Sequence, residues 1–251
     1  MKKLIVGIGI VTFSTLLSAQ QAFDGFNFSL GVGVSQNQIK ADGTNDTSIT
    51  PNPNINNTTT RTSFNGLTSI GYSQSFDNLF KGFNLAANVF YVIGNQSGGS
   101  VNNTVTGVTG AASTVTETLS GKYKIQNTWG ISLEPGYYFT KDVLGYLKFA
   151  YVSSTLNSSL SCAASDDLCL TPGRSYSATS SFSTNKTING IGYGIGGKYQ
   201  ITKNIYGALD FLYVDYTKSN QNINWYDSSI TANASFKPQQ YMGFVSVGYR
   251  F

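Results

Sequence analysis

The chain has 251 residues, enough for one sizeable domain, and only 11% of them are charged. Its formal charge of +4 falls to +2 once Lys2 and Lys3 are set aside, with no basic cluster left, which excludes a nucleic-acid partner. The absence of His excludes Ser-His-Asp and Cys-His chemistry, while 16 Tyr, 16 Phe and 27 Gly are unlike the Lys/Glu-rich surface of a soluble domain.

In chain order, residues 1–19 come first. Lys2 and Lys3 precede an apolar run over 4–17 and a small residue at Ala19. That pattern predicts a cleaved signal peptide rather than an anchor, since the run is shorter than the ~20 residues a spanning helix needs. No later run is long and apolar enough for such a helix, so any membrane span in 20–251 must be built from strands.

Eight alternating segments follow. In 26–34, Phe26, Phe28, Leu30, Val32 and Val34 alternate with Asn27, Ser29, Gly31 and Gly33, a period of two. The weaker segment 64–74 sets Ile70 and Tyr72 outward, and 83–93 sets Phe83, Leu85, Val89 and Tyr91 against Asn84 and Asn88. Segment 127–139 sets Trp129, Ile131 and Leu133 against Ser132 and Glu134; 144–154 sets Leu147, Phe149 and Tyr151 against Lys148. Segment 188–201 sets Ile191, Tyr193 and Ile195 against four glycines and Lys198. Segment 205–218 sets Leu209, Phe211 and Tyr213 against Asp210, and 241–251 sets Val245, Val247, Tyr249 and Phe251 against Ser246 and Arg250.

Short links at 76–81, 140–143 and 202–204 alternate with long ones at about 36–62, 95–122, 156–186 and 219–238. Short–long alternation between strands of about ten residues or more predicts an all-β fold: an eight-stranded antiparallel transmembrane β-barrel over 20–251, with short periplasmic turns and long extracellular loops. A soluble lipocalin-like barrel would carry its charges on the face opposite the apolar one. Here that face is mostly Gly, Ser, Asn and Thr, which suits a narrow lumen. Phe26, Phe83, Tyr137, Phe139, Tyr199, Tyr206, Tyr249 and Phe251 sit at segment ends and are expected to form interfacial girdles.

The inward face carries Glu134, Lys148, Lys198, Asp210 and Arg250. Two acids and three bases in a confined lumen predict an ion-paired cluster, acting as a plug or as the gate of a narrow ion path. The inward glycines leave open either a wet vestibule or steric crowding. Cys162 and Cys169 are the only cysteines, and in an exported chain they predict a disulfide closing a short loop. No metal or cofactor is expected, for the set holds no His and no second Cys pair. The run 189–197 is rich in Gly but alternates strictly with bulky residues, as a strand face does, and is no phosphate loop. With no acid–base constellation, an enzyme is not expected. Trp225 and Tyr226 are candidate contacts for a host-cell or matrix ligand, or else belong to the outer girdle or to an extended hairpin.

The stretches 133–139 (LEPGYYF), 208–216 (ALDFLYVDY) and 243–251 (GFVSVGYRF), with the strand plan, resemble the small outer-membrane barrels of the OmpA-like superfamily, in particular porin-family surface antigens and immunogens of Gram-negative bacteria. The resemblance spans the chain from about Asp24 and implies an outer-membrane location, lipid as the surrounding partner, and a structural, antigenic, adhesive or weakly pore-forming role. The alternating end Tyr249–Arg250–Phe251 resembles the signal by which the outer-membrane insertion machinery recognises its clients.

Overall fold

Period-two alternation becomes one antiparallel sheet in the computed structural model, which describes residues 22–44, 55–108, 114–162, 181–225 and 230–251. Its strands are β1 (Gly25–Thr44), β2 (Ile55–Ser75), β3 (Phe83–Ile93), β4 (Gln96–Val108), β5 (Thr114–Thr140), β6 (Val143–Cys162), β7 (Ser181–Gln200), β8 (Ile205–Tyr216), β9 (Ser219–Trp225) and β10 (Ile230–Arg250). Neighbours in sequence pair in turn, and β1 returns to pair with β10 from Asn27–Arg250 to Thr44–Asn233, which closes the sheet. Both β3 and β4 pair with β5, and both β8 and β9 pair with β10. Each couple is therefore one wall strand with a two-residue break, and the barrel has eight.

The outward residues fall into bands. On β5, Trp129, Ile131, Leu133, Tyr137 and Phe139 are exposed, and Lys122 and Lys124 continue the same face farther out. Ten residue steps at roughly 3.3 Å, tilted by about 40°, span about 25 Å, the height of an apolar membrane band. One girdle carries Phe26, Tyr137, Phe139, Tyr199, Tyr249 and Phe251; the other carries Tyr91, Trp129, Tyr151, Tyr193, Tyr213 and Tyr241. Among the described residues the tight connections lie at the first end. There Asp77 accepts from the Gly82 N–H at 2.7 Å, and Thr202 accepts from the Ile205 N–H at 3.1 Å. That end is periplasmic by the rule that short turns face inward.

Three expectations are corrected. The four long links are largely strand: pairing runs out to Thr44 and Ile55, to Val108 and Thr114, to Cys162 and Ser181, and to Trp225 and Ile230. Outside the belt their outward face meets water and is polar, so the alternation that marks a lipid-facing strand is lost there, although Ile39, Leu156 and Phe236 still turn inward and are buried. Tyr206 is not a girdle residue. It shares the parity of Asp210 on β8 and points into the lumen, 5% exposed. The lumen is also less polar than expected, for Phe90 and Leu212 face inward and are buried.

Candidate functional site

Glu134 on β5, Lys148 on β6, Lys198 on β7 and Asp210 on β8 come from four consecutive wall strands and meet inside the barrel. Lys148 Nζ lies 2.8 Å from Asp210 Oδ1 and 3.1 Å from Glu134 Oε1, and Lys198 Nζ lies 3.3 Å from Glu134 Oε2. The Tyr146 hydroxyl donates to Asp210 Oδ1 at 2.7 Å, and Ser132 donates to Glu134 Oε1 at 3.2 Å. Lys198 also sits 5.0 Å from the Tyr146 ring centre and Lys148 5.6 Å from that of Phe90. Two acids and two bases balance in charge. All four side chains are at most 10% exposed, so any one left alone would carry the full cost of desolvation.

The glycines of β7 make room for this cluster. Gly194 stands opposite Lys148, and Gly196 stands opposite both Tyr146 and Asp210. A Cβ on Gly196 would collide with the Tyr146 ring, as one on Gly248 would with the Tyr206 ring. Gly196 and Gly248, like Gly130 beneath the Phe90 ring, thus mark where a neighbouring strand sends a large side chain across the lumen. Of the two readings open in the sequence, crowding describes these positions.

Apolar layers close the cluster on both sides. Toward the periplasm lie Phe23, Tyr138, Leu144, Tyr206 and Ala208. Phe23 precedes β1 and stacks on Tyr138 at 5.8 Å, meets Tyr206 edge-on at 5.9 Å, and donates its backbone N–H to the Tyr138 hydroxyl at 3.1 Å. Toward the exterior lie Phe90, Ala150, Leu212 and Met242. Farther out, a ring of buried amides and hydroxyls crosses the barrel. Gln240 donates to Asn37 at 2.8 Å and to Gln96, Tyr216 donates to Gln240 at 2.9 Å, and Ser154 joins Tyr216 to Thr128. Ile39, Tyr123, Ile125, Leu156 and Phe236 cover that ring in turn.

Arg250 does not join the four charges. It lies at the periplasmic mouth, where Nη2 donates to the Lys203 carbonyl at 2.9 Å and Nη1 to the Asp24 carbonyl at 3.4 Å. Its place at the end of β10 holds it there. Tyr249 and Phe251 face outward, 46% and 73% exposed, with ring centres 5.1 Å apart. Trp225 ends β9 opposite Ile230, and Tyr226 lies outside the described residues. Cys162 ends β6 opposite Leu119; Cys169 lies outside the described residues, and so does the expected disulfide. Among the described residues no group of three or more His, Cys, Asp or Glu is placed to hold a metal ion.

Sequence reasoning missed Tyr146, Tyr206 and Phe23 as parts of this site. Strand parity would have found the two tyrosines, since each shares the phase of an inward charge. Phe23 precedes the alternating run and gives no such signal.

The closed antiparallel sheet, the lipid-height apolar belt between two aromatic girdles and the charges sealed inside define a transmembrane β-barrel. The chain is a small outer-membrane β-barrel protein. It is similar in fold to OprG from Pseudomonas aeruginosa (12% identity, 92% of this chain and 99% of that one, TM-score 0.49). Also similar are the outer-membrane protease OmpT from Escherichia coli (11%, 94% and 99%, TM-score 0.42) and Ail, the attachment invasion locus protein of Yersinia pestis (12%, 91% and 99%, TM-score 0.37). No protein-family model matches the chain, and no match was found among curated proteins.

Proposed function

We propose that this protein is a closed outer-membrane barrel with a structural and surface-interaction role, of the antigen or adhesin type, and without catalytic activity. The observation that carries this reading is the interior itself. A neutral, fully paired charge cluster lies between two apolar layers, and a second hydrogen-bonded ring lies beyond it. An eight-stranded lumen filled with side chains in that way leaves no wide path for ions, so function moves to the face that the extended strands present to the outside. Export through a cleaved 1–19 segment belongs to the same reading, as does a loop held by Cys162 and Cys169. A host-cell or matrix ligand would engage the outer strands and Trp225–Tyr226.

Single-channel recording of the refolded protein, beside a check of heat-modifiable mobility, tests this. Silence from an inserted barrel is the expected result, and discrete openings would overturn the closed-lumen reading. A second reading, a narrow channel gated by the cluster, draws on one observation. Lys198 has aromatic partners as well as Glu134, with the Tyr146 and Tyr206 ring centres 5.0 and 5.9 Å away, so its ion pair has an alternative. That reading expects openings whose conductance changes in Lys198→Met.

Tyr249 and Phe251 are proposed to act in assembly. Replacing Phe251 with Ser removes one exposed ring and no interior contact. The expected outcome is a marked loss of inserted protein in cells, with refolding into detergent or thin bilayers nearly unchanged. Equal losses in both settings would make Phe251 an ordinary stability residue.

A further inference from the structure

The outer wall is not uniformly smooth. A groove of about 480 Å³ crosses the outside of β1, β10, β8 and β7 at the level of the extracellular girdle. Its floor is at Gly243, whose neighbours across the ladders are Val34 and Phe211. A Cβ on Gly243 would meet only the Phe211 ring, at an ordinary 3.4 Å, so the missing side chain leaves a notch that the wall does not fill. One edge is a row of three tyrosines: Tyr193 and Tyr213 have ring centres 5.1 Å apart, and Tyr213 and Tyr241 4.8 Å. Gln36 and Thr62 line its outer end, where the apolar belt gives way to polar residues.

Directly outward of this end, Lys40 on β1 stands opposite Lys237 on β10, four register steps beyond the Gln36–Tyr241 pair. Both side chains are exposed. Two like charges directly opposite on neighbouring strands repel unless an anion lies between or beside them. Asp215 reaches Lys237 at 3.3 Å, while Lys40 forms no ion pair among the described side chains, which on β1 end before Asp42. Four residues along a strand cover about 13 Å. That is the order of distance separating an acyl chain in the belt from a phosphate at the head-group level.

We propose that this face is a binding site for a phosphorylated lipid of the outer leaflet, with an acyl chain in the Gly243 notch, its polar backbone beside the tyrosine hydroxyls and Gln36, and its phosphate between Lys40 and Lys237. Lipid is the occupant because the groove opens within the lipid-facing belt and, among the described residues, its cationic rim is the one facing the head groups. The opposite wall carries the cations Lys122 and Lys124 on β5, a built-in control.

The test is native mass spectrometry of the barrel, extracted in mild detergent from vesicles of zwitterionic phospholipid doped with bisphosphorylated lipid A. The wild type is expected to retain one lipid A. Retention is expected to fall about tenfold or more in the Lys40→Thr/Lys237→Thr double variant, since both cations that attract the phosphate are lost. It is expected to fall in Gly243→Leu as well, which fills the notch and leaves the charges in place. Dephosphorylated lipid A should bind weakly and equally to the wild type and the lysine variant. Heat-modifiable mobility of each variant checks that the barrel is intact. Three outcomes would overturn the proposal: no retention by the wild type, an equal loss in Lys122→Thr/Lys124→Thr, or competition by inorganic phosphate alone with Gly243→Leu unaffected. The last would make the site one for a free anion.

Discussion

Lys148→Met is expected to lower the stability of the barrel in lipid vesicles by about 3–5 kcal/mol, the cost of stranding a buried charge whose partner has gone. Lys148 is the link between the two acids, touching Asp210 at 2.8 Å and Glu134 at 3.1 Å. Without it, Asp210 keeps only the Tyr146 hydroxyl within the cluster, and Glu134 must rely on Lys198 and Ser132. Urea unfolding of inserted protein, followed by tryptophan emission, reads the loss. Adding Asp210→Asn should recover much of it, because a neutral amide is left in place of a stranded carboxylate. A gate predicts a different result, with conductance rising and stability barely moved. A silent, destabilised Lys148→Met barrel with a rescued double variant identifies the cluster as a structural plug.

Leu209→Arg is expected to cost about 2–4 kcal/mol, the penalty for arginine on the lipid face near the bilayer midplane. Leu209 lies midway along the belt on β8, between Ile205 and Tyr213, and is 46% exposed. On a soluble barrel the same exposed leucine could become arginine within about 0.5 kcal/mol, as surface substitutions usually do. The comparison separates the two environments with one residue. Moving the arginine outward to position 213, at the girdle, should reduce the penalty toward zero because the guanidinium can reach the head groups there. Equilibrium unfolding in bilayers of one thickness gives both values, and equal costs at 209 and 213 would contradict the depth assigned to this strand.

Much of the barrel was legible because membrane crossing imposes a rule on single residues. Leu209, Phe211 and Tyr213 face lipid, so every second position must be apolar, and the count of eight wall strands follows from counting such runs. The rule stops where lipid stops. Beyond Val34 on β1 or Trp129 on β5 the outer face meets water instead of lipid, and strands that continue for another ten to fifteen residues read as loops. The charge cluster was legible for a related reason. Glu134, Lys148, Lys198 and Asp210 are rare in type and fall in phase on neighbouring segments, so their meeting follows from strand order. The packing around them was not. Whether an inward glycine leaves water or admits a ring depends on the register of the next strand, and Gly196 receives Tyr146 only because β6 and β7 pair as they do. Arg250 is in phase with those four charges, and its place at the end of β10 already set it nearer the periplasmic turns than they are.

The seam between β1 and β10 bears on how the molecule comes into being. Its paired residues are separated by most of the chain, from Asn27–Arg250 to Thr44–Asn233. Until that seam zips, β1 and β10 are raw sheet edges in hydrocarbon, and the amide bridge from Gln240 on β10 to Asn37 on β1 is open. Phe23 reaches Tyr138 and Tyr206 only when the chain's beginning lies beneath strands drawn from its second half. The charge cluster can form among its four consecutive strands, but the Gln240–Asn37 bridge and the closure of both raw edges arrive only with the eighth strand, so shelter for the two edges matters most at that last step.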